Sequence, residues 1–418
     1  MSKKTQRTLM FTALILVLAM ASVLVYELVY ARLGRRIELP PLYGRASASE
    51  EYDPDLLAPG ILKIVDDKLS AALAVDADTS ARLIASSYET PAARGEEGQR
   101  SESFLAPDQL AYGRTLARMG KRSLFLKWME SFDRAYKAGF FHADQPGGEG
   151  HWSVTLAYVR SLLEGYQAFG GKKIEKKIAE LSALLLPLFS AGETAGDLIA
   201  GPKTLVAYDE WDVPPPGTLP TPGEEQPLVR VRGTYLADID LWALYALSRF
   251  DPGWGPLART WQQTLEGARL SGDLPLYASA IDEEGNYLAV TGDSLLSRTG
   301  EELTIALHLA EAGFPDYEFA SLIRSGLRDD KRLPAGWNPV TGGEASSYAQ
   351  SSAYALSLSL GRALGDPLLI NAAREVMMTF YASSSTSDIF GGWYRPGSTD
   401  RSYILNAEDN LAVLLSLR

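Results

Sequence analysis

Twelve stretches of this chain repeat apolar residues at three- and four-residue spacings, the period of a helix with one buried face. They cover 58–73, 108–119, 121–137, 152–169, 173–189, 236–250, 254–268, 299–312, 316–327, 346–363, 366–381 and 403–417. Glycine and proline separate them, at Gly120, Gly170-Gly171, Pro252-Gly253, Gly313, Gly365 and the Asp366-Pro367 step. Each such residue ends or restarts a helix. No fixed period of the kind that marks stacked solenoid repeats is visible. Helices joined in consecutive pairs without a linear repeat predict a closed (α/α)6 toroid, an all-α fold. Strand signals are few: a minor β-hairpin is expected from Leu274–Ala280 and Tyr287–Val290 across Glu284-Gly285-Asn286, and Leu228–Val231 is a weaker candidate.

The N-terminus has a different character. After a short basic stretch, residues 1–7, comes an uncharged apolar run at 9–25, flanked by Lys3, Lys4 and Arg7 before it and Arg32, Arg35 and Arg36 after it. Its length approaches what a bilayer core requires. Residues 8–31 are therefore expected to be a transmembrane signal-anchor, with Ala19-Met20-Ala21 as a competing cleavage site. Residues 32–54 read as a linker and 55–418 as the helical domain, on the extracytoplasmic side of a single-pass cell-membrane protein.

Composition removes much chemistry. With no cysteine there is no thiolate nucleophile and no cysteine-ligated zinc or iron–sulfur cluster. Three histidines, His142, His151 and His308, make a three-histidine metal site possible only if all are recruited. A net charge of −12 argues against nucleic acid as a partner. What remains is carboxylate chemistry. Residues 209–224 hold five prolines in a connection long enough to suggest a functional loop. Tryptophans stand in several inter-helix segments (Trp152, Trp211, Trp254, Trp337, Trp393), where flat rings beside acids would suit a sugar-binding cleft.

The most specific segment is Leu236-Ala237-Asp238-Ile239-Asp240-Leu241-Trp242-Ala243-Leu244-Tyr245-Ala246-Leu247. Two acids open an apolar helix, where one suffices as a cap. The segment resembles the Asp-x-Asp-Leu-Trp-x-x-Tyr-Ala-Leu helix start of glycoside hydrolase family 8, which includes bacterial cellulose-operon endoglucanases. The resemblance implies an (α/α)6 fold and inverting cleavage of a β-linked polysaccharide. Asp238 or Asp240 would hold the sugar at the cleavage subsite, with Tyr112, Trp152, Trp242 and Trp393 as further substrate contacts.

The family's general acid is the Glu of a Ser-Glu-Gly-Gln-x-Tyr-Gly motif. Here Ser101-Glu102-Ser103 matches its first half, and Asp108-Gln109-Leu110-Ala111-Tyr112-Gly113 its second. The literal pair favours Glu102; counting back from Tyr112 without a gap gives Asp108. For the base, the helix from Glu301 falls where the family opens its general-base helix, so Glu302, or Glu301, would replace the family's Asp. Thr299 and Glu302 also form a capping box. Asp293 is another contender.

As the resemblance has it, one protonated carboxyl serves the leaving oxygen while the other activates water, and no metal or organic cofactor is expected. The expected partners are a polysaccharide, the membrane and an exopolysaccharide synthase complex. Two other functions compete. A polysaccharide lyase on the same toroid would use His151, Tyr158 and Arg160. A catalytically degenerate glycan-binding or scaffold subunit would use none of the acids for chemistry.

Overall fold

The computed structural model describes residues 12, 15–22, 37–44, 54–74, 80–92, 96–189, 209–213, 229–291 and 296–418. Between residues 54 and 418 it holds twelve α-helices among the described residues: α1 (Pro54–Lys68), α2 (Ala106–Arg118), α3 (Arg122–Tyr136), α4 (Trp152–Phe169), α5 (Lys172–Phe189), α6 (Leu241–Leu247), α7 (Trp254–Gly267), α8 (Thr299–Glu311), α9 (Tyr317–Ser325), α10 (Ser351–Leu364), α11 (Pro367–Met377) and α12 (Ala407–Leu417). Local chemistry sets several boundaries. Asp316 caps α9 by accepting from the N–H groups of Glu318 and Phe319. Asp366 caps α11 in the same way, with Pro367 at its first position. Gly365 ends α10 at φ 65°, a left-handed conformation that costs glycine little.

Helix contacts define the architecture. α2 packs on α4, α4 on α6, α6 on α8, α8 on α10, α10 on α12, and α12 returns to α2. These six inner helices close a ring. Each has an outer partner: α3 on α2, α5 on α4, α7 on α6, α11 on α10, and α9 against α10 and α11. The first helix, α1, backs the last, α12. This is the (α/α)6 toroid expected from the sequence. One apolar cluster runs through it, from Ile61 and Val65 of α1 to Leu411 and Leu414 of α12.

Short strands decorate the segments that lead into the inner helices. Residues 297–298 precede α8, and 403–406 precede α12 and pair with 394–396 and 87–89. The expected hairpin is present but shifted. Its strands are Ala280–Asp282 and Tyr287–Leu288, in a four-stranded sheet with Val229–Tyr235 and Asp209–Val213. Leu274–Ala278 is drawn away because its backbone partners lie elsewhere: Leu270 donates to Leu276, and Ala278 to Ala268.

Among the described residues no helix is long and apolar enough to cross a membrane. Most of the 8–31 segment expected to do so lies outside them. The part inside, 15–22, is helical and exposed.

Candidate active site

The starts of α2 and α4 and the segment leading into α6 come together at one end of the ring. A cavity of about 290 Å³ opens there, lined by α2 (Pro107, Leu110, Ala111, Arg114), α4 (Val154, Ala157, Arg160), Asp238 and Asp240 ahead of α6, and His308 of α8. Both acids of the Asp-x-Asp motif therefore reach one cavity, from two different settings. Asp238 ends a short 3₁₀ turn, Leu236–Asp238, and is half-buried. Asp240 caps α6 through the N–H of Ala243.

Beneath the cavity lies a buried ion network that sequence reading missed. Arg160, 2% exposed, donates Nη1 to both oxygens of Asp240 at 2.9 Å, Nη2 to Glu311 at 2.8 Å and Nε to Glu164 at 2.8 Å. Its guanidinium lies 4.6 Å from the Trp242 ring centre. Glu164 also accepts from Arg114 and Arg118. Burial opposes ionisation of Asp240, but Arg160 outweighs it and holds the carboxyl below its ordinary value. Burial likewise opposes charge on Glu164, and the three arginines hold its carboxyl well below the ordinary range. Asp240 is thus a structural anion more than a free sugar contact. Only the charged residues among apolar ones on α4 hinted at this: Arg160 and Glu164 are an i,i+4 pair inside an otherwise apolar helix. Burial lowers the pKa of His308, so its imidazole stays neutral at pH 7.

The two readings of the acid separate cleanly. Glu102 is exposed on the loop before α2. Asp108 stands in the first turn of α2, 4% exposed, and accepts from the Ser86 hydroxyl. Burial pushes its carboxyl up to about 7, with Glu408 adding to the rise and Arg395 opposing it. It does not line the cavity; the charged groups around it are Glu408 and Asp409 of α12 and Arg395 of the 394–396 strand. The preference for Glu102 that the literal Ser-Glu pair gave is reversed by this placement.

The base candidates also separate. Glu302 is 1% exposed and does not line the cavity; it accepts from the Tyr277 N–H at 2.9 Å and from the Ser297 hydroxyl. Burial pushes it up to about 8. It is a neutral core carboxyl, and its catalytic assignment is corrected here. Glu301 precedes the cavity-lining His308 by seven residues, two turns toward the helix start on the same face. Burial raises its carboxyl as well. Asp293 lies outside the described residues.

The aromatic expectations are overturned together. Every tryptophan whose side chain is described is buried. Trp152 packs edge-on against Phe189, Trp242 donates to the Pro40 carbonyl, and Trp393 donates to the Met377 carbonyl. These rings are large apolar bodies that serve as core, and the N–H groups of Trp242 and Trp393 find backbone acceptors. Tyr112 turns to the outside of α2, where its hydroxyl donates to Asp66 at 2.7 Å. The lyase set does not assemble either. Arg160 is held by three carboxylates, Tyr158 is fully buried against Phe132, and His151 caps α4.

No family model matches the sequence, and no curated protein matches it. Solved structures do. An alpha-amylase from Clostridium perfringens aligns with a TM-score of 0.63 at 16% identity, over 87% of this chain and 96% of that one. A GH8 xylobiose complex from Teredinibacter turnerae aligns at 0.56 and 11%, over 88% and 93%. PssZ from Listeria monocytogenes aligns at 0.52 and 13%, over 85% and 94%. The chain carries the glycoside hydrolase family 8 fold. At these identities it is a divergent example of that fold, consistent with the resemblance seen in its Asp-x-Asp helix start.

Proposed function

We propose that this chain is a glycoside hydrolase acting on a polysaccharide, with Asp108 as proton donor, Glu301 as base and Asp238 as the carboxylate that holds the sugar. The observation that carries this is Asp108: a buried carboxyl in the first turn of an inner helix, raised to about 7 and so largely protonated below neutrality, as an acid catalyst must be. It stands where the family resemblance puts the acid when read without a gap. Glu301 stands in the first turn of α8, across the ring from α2. An inverting reaction needs roughly 6.5–9.5 Å between the two carboxyls to admit a water. No step calls for a metal or organic cofactor.

The finer reading is a β-linked exopolysaccharide as substrate. Residues 8–31 tether the domain outside the cell membrane, beside an exopolysaccharide synthase. The apolar run at 9–25 supports the tether.

The test is release of reducing ends from cellulosic, xylan and α-glucan polymers. Asp108→Asn should lower kcat/KM by about 10²–10⁴-fold. The wild-type rate should fall as pH rises above about 7, where Asp108 loses its proton. A second reading, a glycan-binding subunit without catalysis, is favoured by Asp240, whose carboxylate is held by Arg160. Polymer binding with no cleavage by wild type, unchanged in Asp108→Asn, would establish it.

A further inference from the structure

A groove of about 570 Å³ lies on the outer wall, floored by the outward side of α2 and walled by α1, α3 and the antiparallel hairpin of Ser70–Ala74 and Ser80–Ile84. It is separate from the cavity at the ring mouth and shares no lining residue with it. Tyr112, set apart by the sequence motif and unused at the candidate active site, points into it.

Cations outnumber acids in its lining, three to two. Arg82 gives its Nε to Ser70, leaving both Nη groups over. Arg134 gives Nη1 to the Ser80 carbonyl. Lys127 makes no hydrogen bond or ion pair among the described residues. The indole N–H of Trp128, which also lines the groove, is buried without a partner. Against these donors stand two acids. Glu130 is already paired with Lys173, and one oxygen of Asp66 already accepts from Tyr112. In a chain of net charge −12, this groove carries three cations against two acids. Unsatisfied donors of this kind call for an acceptor-rich, anionic ligand.

We infer that this groove is a second saccharide site, taking an acidic sugar whose carboxylate meets Arg82, Lys127 and Arg134 while a hydroxyl donates to the free oxygen of Asp66. Its volume suits one or two sugar rings. The inference rests on the saccharide reading of the fold, but not on any catalytic residue. It gives the chain a way to hold an acidic stretch of polymer on its flank while the ring mouth engages elsewhere.

Isothermal titration calorimetry of the full chain with trigalacturonic acid and with cellotriose tests it. Trigalacturonic acid should bind, more weakly at high salt because exposed cations are screened. The double variant Arg82→Gln, Lys127→Ala should lose at least ten-fold in affinity, and Asp108→Asn should lose nothing. Three results would overturn the inference: cellotriose binding as tightly, the double variant binding unchanged, or Asp108→Asn abolishing binding. The last would move the ligand to the ring mouth. Should the double variant fail to fold, Lys127→Glu alone, on an exposed side chain, gives the same readout. Groove binding without cleavage of any polymer would count against the hydrolase reading alone. Cleavage without groove binding would count against this one alone.

Discussion

Glu301 and Glu302 are adjacent in sequence and point about 100° apart around α8. That single step separates Glu302, held by Tyr277 and Ser297, from Glu301, which pairs with Arg298. Glu301→Gln should lower turnover by two or more orders of magnitude, with little effect on stability. Glu302→Gln should leave kcat/KM within a few-fold. An equal loss in both, measured on one substrate, would sink the assignment of Glu301. Glu302 carries a second consequence. Its folded pKa, about 8, exceeds the unfolded value near 4.5. Its contribution to stability is therefore complete below about pH 4.5 and lost as pH rises through about 8. Gln keeps the acceptor for Tyr277 and adds a donor for Ser297. Thermal melts of Glu302→Gln should therefore lose less stability than wild type between about pH 5 and 9. Sequence alone could present both glutamates as candidates, since a capping box and a catalytic pair look alike at this spacing. Choosing between them takes the helix phase, and only the packing around His308 and Tyr277 fixes that.

At the scale of the element, helices were legible because their apolar periodicity and their stops are local. The Asp366-Pro367 start and the Gly365 stop each depend on neighbours only. The hairpin was half legible: its turn at Glu284-Gly285-Asn286 is local, but its register depends on where Leu274–Ala278 finds partners. Tryptophan exposure was not legible at all, because loop position in sequence does not say whether a segment folds back onto the core. Glycines record the closeness of the helices. A Cβ at Gly165 of α4 would come within 2.2 Å of the Phe125 ring of α3, and one at Gly113 of α2 within 2.3 Å of Trp128. Both rings are buried and hemmed in, Phe125 lying 5.1 Å from Trp128 and 5.6 Å from Phe169 between ring centres. Gly165→Ala should therefore destabilise the fold by about 1–3 kcal/mol or more, since overpacking outweighs the gain in helix propensity. Urea unfolding would show it; a neutral or stabilising change would mean α3 and α4 separate readily.

For the whole molecule, the decisive contact is between the two ends of the domain. α1 backs α12, and α12 closes on α2, so no helix pair is terminal in the sense that a solenoid's last repeat is. The charged network acts in the same direction from within, since Arg160 of α4 joins Asp240 before α6 to Glu311 at the end of α8. Removing that hub leaves two buried carboxylates without their main counter-charge. Arg160→Met should cost about 3–5 kcal/mol, far more than an exposed ion pair would. The ring makes a further demand on how stability is distributed. In an open helical array the last helix frays, and its amides exchange much faster than those in the middle. Here α12 is an inner helix with neighbours on both sides and α1 behind it. Its amides should exchange with protection close to that of α4, and far-ultraviolet and tryptophan signals should report one coincident transition. Exchange in α12 more than about 100-fold faster than in α4 would mean that the ring opens at its seam well before the domain unfolds. In Arg160→Met the same measurement should show protection falling in α4, α6 and α8 together, because the lost contacts span all three.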